Sequence, residues 1–124
     1  MFIIFLIGRI IFGGYFIYNA LVHFKNHKHL TGYAKMKGVP MPDVGVLVSG
    51  AIMLFGGLAI VLDIRIVFGL WLIILFLLPT TFLMHAFWKE KDASLRMSES
   101  IAFMKNIALI GACLMMIGLE LMSV

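Results

Sequence analysis

Residues 44–88, VGVLVSGAIMLFGGLAIVL-DIR-IVFGLWLIILFLLPTTFLMHAFW, decide the fold of this chain. The first 19 of them carry no charge, and the 23 that follow Asp63-Ile64-Arg65 contain one basic group, His85. A helix needs about 20 apolar residues, at ~1.5 Å each, to cross ~30 Å of hydrocarbon. Both runs are that long, and three residues between them leave room only for a tight reversal. They therefore read as an antiparallel pair of membrane-spanning helices. Two further runs have the same character: residues 2–22, interrupted by Arg9, and residues 101–122, which contain Lys105 and Glu120. A transmembrane barrel would show ~10-residue alternating segments instead, and there are none. The expected fold is all-α: one integral membrane domain over residues 1–124, a bundle of four transmembrane helices.

Composition points the same way. The 124 residues are 63% hydrophobic and 13% charged, against roughly 45–50% and 25% in soluble domains. A mean hydropathy of +1.10 makes lipid the expected solvent. Disorder, a coiled coil, a disulfide scaffold and an ordinary soluble enzyme are excluded. The first span does not read as a removable leader, because no basic region precedes it and no small-residue cleavage site follows. Cys113 is the single cysteine; apolar surroundings raise a thiol's pKa, so packing is its expected role.

The net charge of +4 is informative through its placement. Lys25, Lys28, Lys35 and Lys37 fall in the first connection, and Lys89, Lys91 and Arg96 in the third. By the positive-inside rule, loops 24–43 and 89–100 are cytoplasmic and both termini lie outside a plasma membrane. Anionic headgroups account for these lysines, and no nucleic-acid partner is implied. Within the first connection, Leu30, Tyr33 and Ala34 fall at i, i+3, i+4, followed by Gly38, Pro40 and Pro42. That pattern predicts a short amphipathic helix over 29–37 lying at the membrane surface. Gly13, Gly14, Gly45, Ser49, Gly50, Gly56, Gly57, Gly69, Gly111 and Gly118 are expected to mark close helix contacts. Pro79 predicts a kink, with Thr80 or Thr81 satisfying freed backbone groups.

Polar residues gather at one depth. Tyr15, Asn19 and His23 share a face at the end of the first span. His85 and Trp88 end the third span, with Thr81 on the same face. Lys105 and Asn106 lie about a turn into the fourth. Asn19, His23, His85, Lys105 and Asn106 are within roughly 8 Å of the basic-loop interface. Either Asn and His bridge helices while Lys105 and Trp88 anchor at headgroups, or the group forms a small-molecule site. At the opposite face, Arg9 and Glu120 are expected to form a structural ion pair, and Asn106, Cys113 and Glu120 share one face at seven-residue spacing. His23 and His85 have the placement of haem ligands, but no CxxCH or other support accompanies them, so neither haem nor metal is expected. No dinucleotide glycine pattern, P-loop, HExxH or nucleophile elbow is present.

Gly8-Arg9, Tyr33-Ala34 with Lys37-Gly38-Val39-Pro40, Ser49-Gly50 through Gly56-Gly57, His85-Ala86-Phe87-Trp88 and Phe103-Met104-Lys105-Asn106-Ile107-Ala108-Leu109 occur in an order and spacing that resemble the DoxX family. The resemblance covers nearly the whole chain. It implies a four-helix bundle and a place in membrane oxidoreductase systems. Relatives include a subunit of archaeal thiosulfate:quinone oxidoreductase and a membrane partner of superoxide dismutase and a sulfurtransferase in mycobacteria. Family members often carry a glutamate three residues before the paired glycines of the second span. Here that position is Met53, so a proton-transfer role for that carboxylate is not carried over.

The function expected from these readings is a subunit of a quinone-linked membrane oxidoreductase. His23, His85, Asn19, Asn106 and Lys105 would be donors to a quinone, with Tyr15 and Trp88 as ring walls. Without a flavin, haem or iron–sulfur motif, electrons would have to come from a partner. The alternatives are a non-catalytic accessory subunit packed against a larger membrane complex, and a binder of lipid or a small solute. Besides the bilayer, the expected partner is a protein or a second copy of the chain, met through the membrane helices.

Overall fold

The structure, a computed structural model, describes residues 2–123. Five helices follow one another: α1 (Phe2–Lys25), α2 (His27–Met36), α3 (Pro42–Leu62), α4 (Ile66–Met84) and α5 (Ala93–Met122), with a 3-10 turn at Phe87–Lys89 between the last two. No strand occurs among the described residues. The four long helices are each apolar enough to cross a bilayer. This is an all-α, multi-pass membrane protein with a short helix between its first two spans.

Local chemistry explains the boundaries. α2 ends where Gly38 takes φ 81°. There the Gly38 N–H donates to the Lys35 carbonyl, and the Val39 N–H to that of Ala34, each at 3.1 Å. This is a Schellman closure, which places glycine in the left-handed position. The hairpin turn repeats the pattern with Asp63 at φ 57°, as the Ile64 N–H donates 3.0 Å to the Ala59 carbonyl.

Most boundaries fall within three residues of expectation, and two differ by more. α4 stops at Met84 rather than running to residue 88, and the chain tightens into the 3-10 turn. α5 begins at Ala93, eight residues before the apolar run, because the Asp92 carboxylate accepts the Leu95 N–H at 3.0 Å and caps the helix. Hydropathy delimits the part of a helix that faces lipid; the cap delimits the helix.

α1 packs against α3, α3 against α4, and α4 against α5, while α2 lies across α3; α1 and α5 do not pack closely. Two glycine crossings hold this arc. A Cβ on Gly57 would lie 2.8 Å from the Gly13 carbonyl oxygen, and one on Gly69 would lie 3.0 Å from that of Gly56. Gly50 is similarly close to His23 and Phe24. The other glycines expected at contacts are not: Gly14, Gly111 and Gly118 face open space, and Gly45 has only ordinary contact. Phe16, Met53, Ile60, Leu70, Ile73, Leu77, Cys113 and Ile117 fill the interior. Large apolar side chains such as Ile4, Ile11, Tyr18, Phe55, Phe68 and Met115 point outward, as lipid-facing residues do. α4 continues through Pro79, and the Thr81 hydroxyl donates to the Leu77 carbonyl at 2.6 Å, not to the Leu75 carbonyl that the proline frees.

A candidate ligand cavity beneath the surface helix

Above the glycine crossings, toward the basic loops, the helices enclose a cavity of about 450 Å³. α1 supplies Tyr15, Phe16, Asn19 and His23. α3 contributes Val46, Ser49, Ile52 and Met53, and α4 the stretch around Pro79. His85 follows α4, and α5 adds Lys105 and Asn106. Leu30, Tyr33 and Ala34 of α2 close the interfacial end. Small-molecule sites span roughly 300–1,000 Å³ and are mostly apolar with a few convergent polar groups. This cavity has both properties.

The helix surfaces fix the polar groups. Asn19 Nδ2 donates to the Tyr15 carbonyl at 2.8 Å. His23 Nδ1 lies 2.9 Å from the Asn19 carbonyl oxygen, which can only accept. Nδ1 therefore carries the proton, and Nε2 of the neutral ring is an acceptor. The edge of the Phe76 ring supports the same imidazole at 6.0 Å between centroids. Across the arc, Lys105 Nζ donates to the Tyr15 hydroxyl at 3.1 Å and stands 5.7 Å from the centre of that ring. Asn106 is buried at 5% exposure where α5 meets the cavity.

Of the seven residues expected to cluster, Tyr15, Asn19, His23, His85, Lys105 and Asn106 line this one cavity. Trp88 does not. With α4 finished at Met84, the 3-10 turn carries the indole out of the helical i, i+4, i+7 register. It packs instead against Phe87 and Phe103, with ring centroids 5.2 and 5.8 Å away. The expected Arg9–Glu120 pair does not form either. Because α1 packs on α3 and not on α5, Arg9 reaches the hairpin turn, 3.4 Å from the Asp63 carboxylate and 3.1 Å from the Val61 carbonyl.

A second polar group adjoins the cavity, and sequence reasoning missed it. Lys37, assigned to headgroups, instead folds inward to 15% side-chain exposure. Its Nζ donates to Glu99 at 2.7 Å and to Glu90 at 3.0 Å. The Tyr33 hydroxyl donates to Glu99 at 3.4 Å. His85 Nδ1, shielded from solvent and without a hydrogen-bond partner, lies 3.5 Å from the same carboxylate. Burial acts against the Lys37 ammonium, but its bonds to Glu99 and Glu90 outweigh that and hold its pKa well above lysine's usual value. Burial, reinforced by the Glu99 charge, pushes the Tyr33 hydroxyl above the ordinary phenol range. The signal for this network was Asp92 as a helix cap: continuing the helix from residue 93 puts Glu99 on an ordered face, where reading 89–100 as loop leaves it unplaced.

Among the described residues, no cluster of three or more His, Cys, Asp or Glu is placed to hold a metal ion. The DoxX family model matches residues 4–86. Nothing among the curated proteins and nothing among the solved structures is similar enough to compare. The matched span contains the α1, α2, α3 and α4 walls of the cavity and His85; Lys105 and Asn106 lie beyond it.

Proposed function

Because the chain belongs to the DoxX family, we propose that it is the quinone-binding membrane subunit of an oxidoreductase complex, with the quinone ring seated beneath α2. The observation that carries this reading is one apolar cavity that also presents Asn19, His23, His85, Lys105 and Asn106. A quinone needs hydrogen-bond donors at its ring oxygens, flat apolar walls and a path for its tail. Lys105 and Asn106 are donors, Tyr15 and Phe76 supply ring faces in the place first given to Trp88, and the loosely packed α1–α5 seam lets a tail reach lipid. The quinone supplies the capacity to take up electrons and protons. The chain's own residues bind and orient the ring, exclude water beneath α2, and hold a proton at His85. Electrons come from a partner subunit. In this reading the chain lies in the plasma membrane with loops 24–43 and 89–100 cytoplasmic and both termini outside, as the distribution of lysine and arginine favours.

One observation favours a non-catalytic accessory subunit instead. Met53, at the place where the family often has glutamate, is 1% exposed in the cavity wall. The nearby carboxylates Glu90 and Glu99 are taken up by Lys37. A single experiment separates the readings. The protein is purified gently from native membranes, and its organic extract is analysed for quinone by mass spectrometry beside the His85→Ala/Asn106→Leu double variant. Stoichiometric quinone in the wild type, lost in a variant of unchanged helicity, supports the quinone site. A quinone-free chain within a larger complex supports the accessory role. A retained phospholipid or solute in its place supports a binder of that class.

A further inference from the structure

We propose that Lys105 is the specificity-determining cation of the cavity, and that the site prefers a ring carrying an ionised hydroxyl to the same ring in neutral form. The inference rests on the reading that a quinone-type ring occupies the cavity, and names the form of ring the cavity selects.

Three observations carry it. The cavity wall includes basic nitrogen from Lys105, His23 and His85 but no aspartate or glutamate. Glu99 and Glu90, on the helix and loop that adjoin the cavity, are already committed, being bonded to Lys37 Nζ at 2.7 and 3.0 Å. Lys105 makes no salt bridge with any carboxylate of the described residues. Its polar partner is a neutral phenol, the Tyr15 hydroxyl at 3.1 Å.

Depth sharpens this. Lys105 is six residues beyond Glu99 on α5, which is ~9 Å further along the helix into the apolar span. Lys105 is an exposed residue at the α5 edge of the cavity, and its ammonium has no carboxylate counter-charge among the described residues, so an anion brought beside it is attracted. The chain supplies none, and a ligand can. A ring whose hydroxyl has lost its proton places a charged oxygen where the Tyr15 hydroxyl now accepts, and a charge-assisted bond replaces a neutral one.

The test uses the full chain in nanodiscs of zwitterionic lipid. Quenching of tryptophan fluorescence reads binding of two probes with the same alkyl tail: a hydroxynaphthoquinone ionised at neutral pH, and its uncharged methyl ether. Wild type should bind the ionised probe about 10- to 100-fold more tightly than the ether, the yield of one charge-assisted bond. Lys105→Gln should erase that preference while still binding the ether; Lys105→Arg should keep it. Lys35→Gln, at an exposed basic residue of α2, should leave it unchanged. Equal affinities in the wild type, or a preference that survives Lys105→Gln, overturn the proposal and leave the quinone site standing. Failure of both probes to bind overturns the proposal and the quinone reading together.

Discussion

Replacing Lys37 with methionine should be among the most damaging single changes outside the spans. The substitution keeps most of the aliphatic stem and removes the ammonium that bonds Glu99 at 2.7 Å and Glu90 at 3.0 Å. Glu99 has only 9% of its side chain exposed and would be left with the Tyr33 hydroxyl at 3.4 Å and the His85 ring at 3.5 Å. Removing one partner of a buried ion pair costs about 3–5 kcal/mol. Two weaker neighbours remain, so about 2–4 kcal/mol is expected here. The second substitution Glu99→Met should recover most of the loss, because the cost lies in the stranded charge rather than in the missing attraction. Thermal melting in detergent reads the stability. Hydrogen exchange of α2 reads the mechanism, since Tyr33 and Lys37 hold that helix to α5. The pH dependence has a defined sign. The folded-state pKa of Lys37 is raised, so its contribution is complete below the unfolded value, near 10.5, and is lost as pH rises through the folded value. The gap in melting temperature between wild type and Lys37→Met should thus stay constant from neutral pH to about 10 and narrow only in stronger alkali. A Lys37→Met protein that melts with the wild type and protects α2 equally well would show that the pair does not hold the surface helix.

Two further outcomes test the packing. Gly57→Ala puts a methyl group 2.8 Å from the Gly13 carbonyl oxygen and should lower stability by about 1–3 kcal/mol, the usual cost of overpacking. Gly118→Ala meets nothing within 4 Å and should stabilise by roughly 0.5–1 kcal/mol through helix propensity; the same melting experiment compares them. At the opposite face, Asp63→Asn preserves a side chain suited to φ 57° while removing the charge near Arg9. With Asp63 half exposed, the loss should be no more than about 1 kcal/mol, whereas Glu120→Gln should leave the melting temperature unchanged. The reverse order would restore the Arg9–Glu120 pairing.

The bundle was legible in the sequence because lipid imposes a simple code: about 20 uncharged residues make a span, and a three-residue hairpin fixes one antiparallel pair. The polar lining was legible for the same reason. Tyr15, Asn19 and His23 repeat every four residues, and depth in a membrane can be counted along each helix. Sequence failed where a helix end, not a helix face, decides the geometry. The 3-10 turn after Met84 moves Trp88 out of the cavity, and the Asp92 cap brings Glu99 into the protein. Neither event leaves a mark in hydropathy. Helix neighbours were equally hidden. Arg9 and Glu120 lie toward the same membrane face, yet the pairing required α1 beside α5, and periodicity does not say which helices touch.

That same choice of neighbours accounts for the cavity. α1 and α3 stay close along their length, at Gly13 with Gly57 and again where Gly50 meets His23 and Phe24. α3 and α4 touch closely at Gly56 and Gly69, and beyond that crossing α4 contributes the Pro79 segment to the cavity wall. The arc is therefore tight near the Asp63 turn and open toward the basic loops. An open end in lipid would expose Asn19, His23 and Asn106 to hydrocarbon or to interfacial water, and α2 covers it. The cover needs an anchor that does not place acid in the cavity, and Lys37 provides one by drawing Glu90 and Glu99 to itself. Lys105 then stands as the cation of the cavity without an acidic partner, so the contact that holds the lid in place also determines the charge offered to a ligand below it.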